Sequence, residues 1–99
     1  MATTTLLNAV LVATTGSGSS ITGDFEFLVR GNPAGGDVEL QMADTDTAAD
    51  YASCGIEAKL RGPGQCSIRN NGTKYYRAKY SGPVASLASS ATVTAKIVQ

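Results

Sequence analysis

The chain has 99 residues, eight acidic and eight basic side chains that cancel, four Tyr, two Phe, and neither Trp nor His. A length of this order makes one domain, whose single core can bury roughly 65% of the unfolded surface without needing a metal or several disulfides. Having no His removes the commonest general base and the usual zinc ligand, and the charge balance gives no sequence-independent pull toward nucleic acid or anionic membrane.

The first 22 residues carry no charged side chain and separate from the rest at the Gly/Ser/Thr stretch "TTGSGSSITGD", which reads as a flexible joint. The expected organisation is an extended N-terminal arm over 1–22 followed by a β-sandwich domain over 23–99. Within the arm, "LLNAVLVA" is apolar on both alternating faces, with Leu6, Val10 and Val12 on one and Leu7, Ala9, Leu11 and Ala13 on the other. Such a strand needs cover on both sides. Two readings stand open. The segment folds back as the first strand of its own sandwich, or it inserts into a neighbouring subunit, where Leu6, Leu7, Val10, Leu11 and Val12 are the contact residues. The apolar run lacks a basic flank and is brief, so it is expected to be retained rather than cleaved as a signal. No stretch approaches the ~20 apolar residues of a membrane-spanning helix.

From Asp24 onward the hydrophobic period is mostly two. "DFEFLVRG" sets Phe25, Phe27 and Val29 on one face, and "DVELQM" does the same with Val38, Leu40 and Met42. These are the clearest strands, and the "GNPAGG" loop between them predicts that they pair. "ADTDTAADYASCG" reads as loop or one short helical turn. Weaker strands follow at "IEAKLR" and "QCSIR", separated by the turn "GPG". "NNG" is a primed-turn signal, because Asn and Gly tolerate positive φ. It leads into "TKYYRAKYSG", with Tyr76, Ala78 and Tyr80 on a half-buried face and Tyr75, Arg77 and Lys79 on the face turned to solvent or to a partner. The last run alternates Ala91, Val93, Ala95 and Ile97 with Thr92, Thr94, Lys96 and Val98. Seven to eight short strands with frequent breaks predict an all-β fold, an antiparallel β-sandwich or barrel.

Candidate sites are few. Asp44, Asp46 and Asp50 resemble the acidic start of a calcium loop, but the full pattern needs further ligands, a Gly bend and a terminal Glu, and Ala48, Ala49 and Ala52 offer no side-chain oxygen, so a solvated Asx-type loop is the better reading. No GxSxG elbow marks a nucleophilic Ser. The expectation is a protein that is not an enzyme and uses no metal or cofactor. Asn71 to Thr73 matches a glycosylation sequon, for which a turn role suffices. Cys54 and Cys66 are separated by eleven residues without CxxC spacing. They read either as two thiols or as a disulfide closing a loop of about a dozen residues.

Charge is unevenly spread. All eight acids lie at or before Glu57, and seven of the eight bases lie at or after Lys59. Either interleaved strands set opposite charges side by side within one subunit, or an acidic and a basic patch meet between copies. Tyr75, Arg77 and Lys79 combine aromatic and basic groups as single-strand binders do. The neutral total makes protein contact the stronger reading, because Tyr and Arg are enriched in interface cores.

Taken together, the small-residue arm, "GDFEFLVRG", "GDVELQMADTDTAADY" and "GTKYYRAKYSGPVAS" resemble small β-sandwich structural proteins of tailed-bacteriophage virions, most of all the capsid decoration (cement) proteins. The resemblance runs from about Gly23 to Val98, and the chain departs from it in having Tyr51 where many such domains place a Trp and in its two cysteines. It implies a non-catalytic protein of the virion, assembled in the host cytoplasm. Such a protein binds the major capsid protein of the assembled shell and clamps neighbouring subunits, as a homotrimer. A tail, neck or fibre component, or a small carbohydrate- or single-stranded-nucleic-acid-binding module, are the alternatives.

Overall fold

The computed structural model of the chain describes residues 2–10, 13–31, 37–55, 58–61, 63–82 and 92–99. Within them the fold is all-β, with ten strands in two antiparallel sheets and a 3₁₀ turn at Ala48–Asp50. The first sheet runs β1 (Thr3–Val10), β10 (Val93–Val98), β4 (Phe25–Arg30), β8 (Gly64–Ile68). In the second, β9 (Thr73–Tyr80) and β5 (Val38–Ala43) form the centre. Two short strands, β2 (Thr14–Thr15) and β3 (Ser19–Thr22), flank β9, and β6 (Ala52–Ser53) and β7 (Lys59–Leu60) flank β5.

The inner faces follow the alternation read from the sequence. Phe27 and Val29 from β4, Val38 and Leu40 from β5, Tyr76, Ala78 and Tyr80 from β9, and Val93, Ala95 and Ile97 from β10 are essentially sealed from solvent. Phe25 meets Tyr76 edge to face, ring centroids 4.8 Å apart, a geometry that sets the positive edge of one ring on the negative face of the other. Burial of these side chains is the main force holding the sheets together.

Four expectations are corrected. First, the N-terminal 22 residues are not an arm standing apart from the sandwich. They supply the edge strand β1 to one sheet and β2 and β3 to the other, and the Gly/Ser joint is strand and tight connection. Leu6 and Leu7 are both buried in the chain's own core, so they are withdrawn from contact with a neighbour. The reason is local. The register of β1 against β10 shifts between Thr5 and Leu7 and again between Leu7 and Val10. Bulges of this kind break the strict alternation of a strand, and here consecutive leucines turn to the same side. They also irregularise an edge that would otherwise offer a straight template for pairing. Ala9 sits in the left-handed region at φ 54° inside the second irregularity, a conformation non-glycine residues seldom adopt. Val10 is half-buried against the core, and Leu11 and Val12 lie outside the described residues.

Second, β4 and β5 do not pair. They belong to different sheets and face one another across the core. Third, "NNG" turns the chain but makes no hairpin, because β8 and β9 are also in different sheets. Gly72 takes the positive φ of 97°. Asn70 is buried at this crossover, where its amide Nδ2 donates to the Ile21 carbonyl and its backbone N–H donates to Asp24 Oδ1. Fourth, Met42 is 36% exposed although it continues the face of Val38 and Leu40, because it reaches the edge of the sandwich where the opposite sheet no longer covers it.

Candidate contact surface on the six-stranded sheet

The outer face of the second sheet carries the strongest arrangement of functional groups. On β9 the alternation sends Tyr75, Arg77 and Lys79 outward. Opposite them in register, β5 presents Ala43, Gln41 and Glu39. Arg77 Nε donates to Gln41 Oε1 at 2.7 Å, and Gln41 Nε2 donates in turn to Glu39 Oε1 at 2.7 Å. The Arg77 side chain is thereby tied to its own sheet, in a charge-assisted relay running across two strands.

Tyr51 completes the arrangement. The Asp-rich segment leaves β5, makes the 3₁₀ turn and returns so that the Tyr51 ring lies against Arg77, with the guanidinium carbon 4.2 Å from the ring centroid. At that distance the cation is attracted by the ring's negative face. The Tyr51 hydroxyl donates to Asp46 Oδ1 at 2.7 Å. Burial, then this bond and the Asp46 charge, push the phenol up to about 12, against the opposing pull of Arg77. Beneath the hydroxyl lies Gly18, where any Cβ would overlap both the Tyr51 oxygen and the Asp46 carboxylate. A glycine in the connection between β2 and β3 is what lets the returning loop sit this close to the sheet.

The carboxylates of the loop are engaged one by one. Asp44 pairs with Lys74 at 3.6 Å, Asp46 accepts from Tyr51, and Asp50 accepts from the Thr45 hydroxyl at 2.9 Å. On the far side of β5, Lys59 lies 3.9 Å from both Asp37 and Glu39, and Arg61 lies 3.2 Å from Asp37. Part of the charge segregated along the sequence is thus paired within one subunit, where Asp37, Glu39 and Asp44, in or beside β5, meet Lys59, Arg61 and Lys74. These exposed pairs are each worth only ~0 to 1 kcal/mol. Their consequence is mainly to fix which side chains stay uncompensated. Lys79 is exposed in register with Glu39 and Thr15.

Of the residues singled out from the sequence, Tyr75, Arg77 and Lys79 therefore come together on one outward face, with Tyr75 half-buried beside Ser20 and Ala43. Leu6, Leu7 and Val10 do not join them. Cys54 and Cys66 are in the thiol form, partly buried at the edges of opposite sheets. The sequence reading did not include Gln41, Asp46 or Tyr51 in the site. The signal for Gln41 was its place in the β5 alternation, opposite the inward face. Tyr51 had no local signal, since its partner lies on a strand distant in sequence. Chemically, this face offers a fixed guanidinium, a phenol, an amide and an ammonium group on two central strands. Such a set can donate hydrogen bonds and present positive charge to a facing surface.

Among the described residues, no helix is long and apolar enough to cross a membrane. Comparison of the chain with protein-family models, with curated proteins and with solved structures finds no match.

Proposed function

We propose that the chain is a non-enzymatic structural protein of a tailed-phage virion, which binds the assembled capsid surface and stabilises contacts between neighbouring capsid subunits. The observation that carries this reading is Arg77 held between the Tyr51 ring and Gln41 on an outward sheet face. Interface hot spots are enriched in Arg and Tyr, and a side chain already fixed in its bound geometry loses less entropy on binding. The sequence resemblance to decoration proteins supplies the class of partner, the major capsid protein. It also supplies the homotrimer in which three modest contacts act together through high effective concentration, and assembly on the virion in the host cytoplasm.

A tail, neck or fibre component would use the same face in the same way. A carbohydrate- or single-strand-binding module ranks lower on one observation, since the Arg77 guanidinium that would meet a phosphate is already engaged by the Tyr51 ring and Gln41. The test is the disruption temperature of emptied phage heads with and without the protein, together with its native mass. The proposal expects a trimer that raises the disruption temperature. A monomer that leaves the heads unchanged overturns it.

A further inference from the structure

Two thiols lie at the borders of the two sheets and pack against the same core. Cys66 lies on β8, the last strand of the first sheet, directly opposite the fully buried Phe27 of β4, so it shares that strand's inner face. Cys54 follows β6 at the border of the second sheet. Its N–H donates to the carbonyl of the buried Leu40 at 3.0 Å, which sets it beside the inner face of β5. Both side chains are partly buried and pack against the one hydrophobic core. Next to them a cleft of about 480 Å³ opens between the sheets, lined by Met42, Cys54 and Tyr76 on one side and Ser67 and Ile68 on the other. Cys54 thus lines this gap between the sheets, and Cys66 directly precedes its wall residue Ser67.

We propose that Cys54 and Cys66 form a reversible intramolecular disulfide that latches this edge of the sandwich, making it a redox-sensitive element of the fold. The inference is independent of the capsid reading above. A disulfide requires Cα atoms roughly 4.4 to 6.8 Å apart, whereas packed sheets lie about 10 Å apart, so forming it draws the β6 and β8 edges together at the expense of the cleft. Met42, exposed at the mouth of that cleft, loses accessibility in the latched form.

The oxidant is a low-molecular-weight disulfide such as oxidised glutathione. One cysteine thiolate attacks a glutathione sulfur and expels glutathione thiolate, leaving a mixed disulfide. The second cysteine then attacks the protein sulfur of that mixed disulfide and expels the second glutathione. The protein loses two hydrogens, and one oxidised glutathione becomes two reduced molecules. Burial, with Glu39 and Cys66 beside it, pushes the Cys54 thiol up to about 11, and Tyr76 lies in the same cleft. Exchange is therefore slow near neutrality and quickens as the medium is made alkaline, because the thiolate is the nucleophile.

The test incubates the native protein with oxidised glutathione at mildly alkaline pH and follows intact mass, a peptide map and thermal unfolding. The expected product is a monomer lighter by two hydrogens, with a Cys54–Cys66 cross-linked peptide and a Tm higher by on the order of 10 °C for a closed loop of this length. Dithiothreitol should reverse both changes. Cys54→Ser and Cys66→Ser should each keep a single glutathione adduct and show no such rise. Disulfide-linked dimers, stable glutathione adducts on the wild-type chain, unreacted thiols, or a cross-linked monomer with a lowered Tm would each overturn the proposal.

Discussion

The guanidinium carbon of Arg77 lies 4.2 Å from the centroid of the Tyr51 ring, joining the central strand β9 to a loop that leaves and re-enters the sheet on the far side of β5. This contact, with the pairing of β6 against β5, holds the Asp-rich loop over the outer face. A double-mutant cycle with Tyr51→Ala and Arg77→Ala should give a coupling energy of ~0.5 to 1 kcal/mol, the range for a partly exposed cation–π pair. Tyr51→Phe should keep most of that coupling, because it removes only the hydroxyl bonded to Asp46. Chemical denaturation of the four variants checks both values.

Gly18 is the seat of that loop. Gly18→Ala puts a methyl group where the Tyr51 hydroxyl and Asp46 carboxylate lie, and the expected loss is ~1 to 3 kcal/mol. Adding Tyr51→Ala should return most of it, because the obstructing phenol is then gone. If the double variant is as unstable as Gly18→Ala alone, the loop does not pack on Gly18 as described.

The N-terminal strand is structural. Leu6→Ala and Leu7→Ala should each cost ~2 to 5 kcal/mol, as large-to-small changes in a core do. Removing residues 1–15 should abolish cooperative unfolding, since both leucines and the edge strand β1 go with it. Urea titration followed by tyrosine fluorescence reports the outcome. A truncated chain that unfolds with the wild-type midpoint would instead describe a dispensable arm.

Much of the sandwich was legible in the sequence. Along β4 and β10, and along β9 from Tyr76 onward, every second residue is apolar and buried, so the inner faces follow from the sequence. What could not be read was which strands share a sheet. Phe25–Arg30 and Val38–Ala43 are neighbours in sequence and carry equivalent patterns, yet they lie on opposite sheets. Alternation reports an inward face without naming the partner that covers it. The double-sided apolar run at Leu6 and Leu7 asked for cover on both sides, and the bulges answered it by turning both residues one way. On the outer face, Tyr75, Arg77 and Lys79 were visible from β9 alone. Tyr51 entered only through a long-range contact that leaves no periodic trace.

Alkaline pH should weaken the fold. Burial pushes Cys54 up from 9.0 to about 11 and Tyr76 up from 10.0 to about 12, each also raised by a neighbouring acidic group. The folded chain therefore keeps these protons over a range in which the unfolded chain has released them. Their contribution is fully present below about pH 9 and is lost as the pH climbs through about 11 to 12. Denaturant midpoints measured from pH 8 to 12 should fall across that interval, less steeply for Tyr76→Phe. A flat profile would contradict the buried, protonated state of both groups.

The most direct test of the central proposal is cosedimentation of the protein with emptied phage heads, wild type against Arg77→Ala, with circular dichroism confirming that the variant stays folded. Wild-type protein should sediment with the heads, and Arg77→Ala should bind at least tenfold more weakly, the scale of one hot-spot side chain. Equal binding by the two proteins would remove the outer face of the six-stranded sheet as the docking surface, and no binding by either would contradict the capsid reading itself.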